Sequence, residues 1–130
     1  MDENTFMSKP PVNPLKIELN IALGFRLDYN FVELKTSIYY KYPDEIDEIT
    51  ILAQGQFQNV FEVSNLNNYY FDKSYIKLPS LAITNLVGLS ISHSRALMTQ
   101  KLAGTVFQDQ ILTALDAEHV ARHFFPYMFS

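Results

Sequence analysis

The chain has no cysteine and no tryptophan, and its four glycines stand far apart, at positions 24, 55, 88 and 104. Without cysteine there is no disulfide framework and no thiol chemistry, an inventory that suits a reducing compartment. Scattered glycines exclude a phosphate loop, which needs several within a few residues. Basic residues are few as well. Ten Lys and Arg against fourteen Asp and Glu leave a net charge of −4 with no basic cluster, so nucleic acid is not the expected partner. The N-terminus lacks the basic and apolar regions of a signal peptide, and the expected location is cytoplasmic. The longest apolar stretch, within residues 80–105, is interrupted by Asn85, His93 and Arg95. An arginine at mid-bilayer costs roughly 3 kcal/mol on insertion scales, so no membrane insertion is expected.

What the chain does hold is aromatic surface: ten Phe and eight Tyr in 130 residues, a surplus that points to interfaces. That length bounds the answer to one domain with a modest core. A composition 48% hydrophobic and 18% charged is that of a folded chain rather than a disordered one.

Residues 1–14 are polar and hold three prolines, which predicts a flexible arm or an edge strand ahead of a single domain over 15–130. From Leu15 the pattern changes to strict alternation, with Ile17, Leu19, Ile21, Leu23 and Phe25 on one side and Lys16, Glu18, Asn20 and Arg26 on the other. Asp28, Tyr29 and Asn30 make a turn. Val32, Leu34, Ile38 and Tyr40 then mark a second strand, antiparallel to the first. An acidic turn with Glu45, Asp47 and Glu48 leads to a third strand over 49–63, in which Gly55 marks a bulge or a close approach. Residues 65–72 read as a polar loop carrying Tyr69, Tyr70 and Phe71.

Residues 80–104 predict one long helix, opened by Pro79 and Ser80 and capped near Gly104. Ile83, Leu86, Val87, Ser90, Ser94, Leu97 and Met98 form its apolar stripe. Leu81, Leu89 and Ile91 lie off that stripe, so the first half needs burial on a second side, supplied by another subunit or by a loose cover from the same chain. Thr84, Gly88, Ser92 and Ala96 form a row of small side chains that admits a second backbone, the expected oligomer interface. Residues 106–112 read as semi-extended, and Asp116 opens a short helix closed by Pro126. The fold class is therefore α+β: an antiparallel meander of three to four strands followed by one long and one short helix, the long helix lying on the sheet face of Ile17, Leu19, Ile21, Leu23, Leu34, Ile38 and Tyr40.

Chemistry-bearing constellations are sparse. His119 and His123 have metal-ligand spacing but no third ligand at a motif position, and no metal or cofactor is expected. Ser92, His93 and Ser94 diverge by roughly 100° per residue on a helix and form no nucleophile–base pair. The acidic turn reads as solvated. No enzyme is expected.

The order of strands and helices resembles the SecB export-chaperone family, and particular residues carry the resemblance. The segment LAQGQFQNVFEV at 52–63 is similar to that family's last strand, with Val60, Phe61, Glu62 and Val63 in its alternating end. SHSRALMTQKLAGTVFQ at 92–108 resembles the family's long helix and its exit, with Arg95, Gly104, Thr105 and Phe107, and the second helix begins at Asp116. The resemblance implies assembly into a homodimer or homotetramer through the long helices, and binding of unfolded or partner polypeptide in aromatic-lined grooves. Peptide contact is expected at Phe61, from the match, and at Tyr40 and Phe107, from their placement. The chain departs from the family in its proline-broken arm and in Thr113 and Ala114, where a proline is usual. It also stops four residues after Pro126, without the polar tail that engages the SecA motor, so coupling to that motor is not expected.

Independently of the family, a protein that holds many sequences needs apolar and aromatic surface that accepts varied side chains, summed over many weak contacts. Two other readings remain open from the sequence: an interaction protein dedicated to one unstable partner, such as an antitoxin, and a small-ligand module on a curved sheet.

Overall fold

The computed structural model describes residues 2–8, 15–43, 51–72, 75–110, 112 and 114–129. Its main sheet has three antiparallel strands, β1 (Lys16–Arg26), β2 (Phe31–Lys41) and β3 (Ile51–Glu62), in the order β1-β2-β3. Alternation fixes the register. Tyr40 stands opposite Ile17 and Ala53, Ile38 opposite Leu19 and Gly55, Thr36 opposite Ile21 and Phe57, Leu34 opposite Leu23 and Asn59, and Val32 opposite Phe25 and Phe61. All of these share one face, because a period of two puts every second residue on the same side. The turn between β1 and β2 is a 3-10 turn, Leu27–Tyr29, completed by Asn30 with φ 56°. Asparagine tolerates that left-handed conformation, and its side-chain oxygen accepts the Leu66 N–H at 3.1 Å.

The opposite face of the sheet is polar. There Lys16 and Lys41 sit across from each other, a like-charge pairing that Glu18 relieves by bridging both, at 3.5 and 2.5 Å. The hydrogen bond from Lys41 holds the Glu18 carboxyl below the usual glutamate value.

The long helix α2 (Ser80–Leu102) lies on the apolar face, burying Ile83, Val87, Ser90, Ile91, Ser94, Met98 and Leu102. Gly104, two residues past its end, takes φ 79°. The helix lies chiefly over β2 and β3, whereas the sequence placed it over β1 and β2. The apolar end of β1 faces the last helix instead, so that Ile17 and Leu19 line a groove with Leu112, Val120 and Phe124. Gly55 explains the seat of α2, since a Cβ there would come within 2.8 Å of the Met98 sulfur and 2.7 Å of the Phe57 ring. It is a close-approach glycine rather than a bulge; the register irregularity falls between Tyr40 and Lys41.

Asp116 caps the last helix, α3 (Ala117–Phe124), by accepting the Glu118 N–H at 3.0 Å. Three local features differ from the sequence reading. Glu3–Ser8, within the stretch expected as a flexible arm or an edge strand, is a short helix, α1. At the end of the expected polar loop Tyr70–Asp72 forms a strand, β4, that pairs antiparallel with Tyr75–Ile76, β5, beyond it. Residues 103–110 run in successive turns rather than extended, with Thr105 bonding Leu102 and Gln110 bonding Phe107 through the backbone. The acidic turn with Glu45, Asp47 and Glu48 lies outside the described residues.

Candidate functional site

The three residues expected in a peptide groove are not presented alike. Tyr40 and Phe107 are 1% and 0% exposed and offer no surface in this fold. Tyr40 sits on the covered sheet face, where its hydroxyl donates to the Gln110 carbonyl and pins the 103–110 turns to β2. Burial pushes its pKa above the ordinary tyrosine value. Phe107 packs against Phe6 of α1, ring centroids 5.0 Å apart in an edge-to-face arrangement. Only Phe61 is half-buried, on the edge strand β3. In the aromatic trio, Tyr69 is half-buried and Tyr70 is exposed.

The outer face of α2 is the larger open surface. Leu81 and Leu89 are 72% and 58% exposed, and Leu115, 39% exposed, lines a cleft with Leu89. Thr84, Gly88, Leu89, Ser92, Ala114 and Leu115 contribute to an open cleft of about 630 Å³. Of the small-residue row, Thr84 and Gly88 are half-buried while Ser92 and Ala96 are exposed. The close approach that the row allows is already used once within the chain: a Cβ on Gly88 would stand 3.2 Å from that of Ala117, at the start of α3.

Asn59 occupies an apolar-face position of β3 and is 6% exposed. Its amide nitrogen donates to the Leu34 carbonyl and the Ser94 hydroxyl at 3.5 and 3.4 Å, which leaves Oδ1 to accept from His93 Nδ1 at 2.5 Å. The network thus assigns the Nδ1 proton to His93 and ties α2 to β3. His93, Ser92 and Ser94 point different ways, Ser94 being buried and the other two exposed. His119 and His123 are exposed on α3 among the walls of its groove with β1. Among the described residues no group of three or more His, Asp or Glu is placed to hold a metal ion, and no helix is long and apolar enough to cross a membrane.

Sequence reasoning missed Asn59 and Phe6. The first had a signal, since it breaks the alternation Ala53, Gly55, Phe57, Phe61 with a polar residue. The second had none, because one phenylalanine in a polar arm carries no period. Comparison with known proteins returns no matching family model, no matching curated protein and no matching solved structure.

Proposed function

We propose that the protein is a SecB-like chaperone subunit that assembles as a homodimer or homotetramer through the outer face of α2 and holds unfolded or partner polypeptide by apolar contact. The observation that carries this reading is the pair Leu81 and Leu89, left 72% and 58% exposed on a helix whose other side is buried. Apolar side chains so placed lose contact with water only when a second chain covers them, and each fully buried leucine contributes about 1.5–3 kcal/mol. The order of elements, the motifs around Phe61 and Phe107 and the abundance of Phe and Tyr support the same reading. It is a binding activity rather than a catalytic one.

The reading is tested by diluting a chemically denatured substrate into buffer with and without the protein and following turbidity. Suppression is expected at a few-fold excess and persists at raised salt, because apolar contact is not screened as ion pairs are. Unchanged aggregation across a panel of substrates would refute a general holdase.

A further inference from the structure

The N-terminal helix α1 is too short to be stable by itself, since isolated helices below about 12 residues are marginal in water. Its position is therefore set by what it docks on. Two of its contacts tie it to the rest of the chain. Phe6 places its ring edge-to-face on Phe107, 5.0 Å between centroids, and the Asp2 N–H donates to the Leu52 carbonyl at 2.5 Å. Leu52 belongs to β3, an outer strand of the sheet, so that carbonyl faces away from β2. Two residues on, the Gln54 carbonyl also faces outward and accepts from Lys101 Nζ at 2.7 Å. Between and beside these partners runs an open cleft of about 430 Å³, lined by Asp2, Ile51, Leu52, Ala53, Gln54 and Lys101.

An aromatic ring seated on the core and a main-chain N–H paired to an edge strand are the two components of peptide recognition by strand edges: the backbone supplies affinity and the pocket supplies preference. The arm makes both. We propose that α1 is a tethered occupant of a polypeptide-binding seat at Phe107 and Leu52, and that a client segment carrying an aromatic residue binds by taking its place. The inference rests on the polypeptide-binding reading above and names the regulation of one of its sites. Phe107 is 0% exposed and has the Phe6 ring edge-to-face against it, the contact a client aromatic would imitate. The tether keeps Phe6 at high local concentration, so a client meets the seat only in the fraction of molecules whose arm is undocked, and its apparent affinity falls by that fraction.

The test uses the full chain and a fluorescein-labelled synthetic peptide of residues 1–8, MDENTFMS, followed by fluorescence anisotropy. Phe6→Ala in the full chain is expected to bind this peptide about tenfold more tightly than the unmodified chain does. A peptide carrying the same Phe6→Ala change binds neither. Asp2→Pro removes the amide that Leu52 accepts while keeping the ring; it gives a smaller gain, and it decides the matter where Phe6→Ala lowers the melting temperature. Equal affinity in the unmodified chain and both variants, or binding to none of them, overturns the proposal. Turbidity separates it from the reading it rests on. Peptide exchange without suppression of aggregation upholds the seat and refutes the holdase, and suppression with no peptide binding to any variant does the reverse.

Discussion

The inner and outer faces of α2 both carry large apolar side chains together with serine, and only one of them is covered. The inner face sets Ile83, Val87, Ile91, Met98 and Leu102 against the sheet, with Ser90 and Ser94 among them. The outer face carries Leu81, Thr84, Leu89, Ser92 and Ala96 with the polar Asn85 and Arg95 among them, and the start of α3 stands against it at Gly88. A helix with one dry side and one wet side ordinarily sorts its leucines from its polar residues. This one does not. Hydrophobicity alone therefore does not set the faces: α2 is held where Gly55 admits Met98 and where Asn59 reaches Ser94, and the apolar residues left over point outward.

Substitutions on the two faces should separate them sharply. Ile83→Ala empties a fully buried position and is expected to cost about 2–5 kcal/mol in urea unfolding, read as a lower midpoint at unchanged slope. Gly88→Leu, at the boundary between the faces, drives bulk into Ala117 and is expected to cost about 1–3 kcal/mol. Loss of ellipticity from α3 ahead of the main transition would place that cost at the α2–α3 contact, and an unchanged transition would mean that the contact gives way freely.

The covered face also makes a prediction in pH. Tyr40 is neutral in the fold with its pKa raised by burial, so the unfolded chain loses that proton first. Stability from this group is level below the ordinary tyrosine value of about 10 and declines as pH rises from there toward the folded value. Tyr40→Phe removes this part of the alkaline decline and, at neutral pH, costs about 1 kcal/mol for the bond to Gln110. An alkaline limb unchanged by the substitution would assign the decline to other groups. The smallest effect has the opposite sign. Ser90 Oγ is buried without a hydrogen-bond partner, so Ser90→Ala is expected to stabilise by about 0.5 kcal/mol, the hydroxyl being removed where it gains nothing and helix propensity improving. A loss of stability there would show that the hydroxyl is satisfied in solution.

Much of this arrangement was legible in the sequence, for identifiable reasons. Eleven residues of alternation over Lys16–Arg26, a turn of Asp28, Tyr29 and Asn30, and a capping Asp116 are strong local signals, and each appears where its chemistry puts it. Alternation tells which face a side chain takes, not what covers that face. Alternation therefore puts Tyr40 on the correct side of β2 without showing that it is covered there, and it does not tell that α2 lies over β2 and β3 rather than over β1 and β2. The short elements, α1 and the β4–β5 hairpin, span too few residues to show a period. Gly88 was ambiguous for another reason: a small residue permits a close neighbour without naming it, and the neighbour within this chain is Ala117.

What decides whether the outer face of α2 is a contact surface is the mass of the protein in solution, measured by size-exclusion chromatography with light scattering on the unmodified chain and on Leu89→Asp. A dimer or tetramer is expected for the unmodified chain. The variant is expected to shift toward monomer, with the stability of the single chain altered by no more than about 0.5 kcal/mol, as for other exposed positions. A monomer from the unmodified chain at every concentration would contradict this expectation and leave Leu81 and Leu89 exposed without a partner of their own kind.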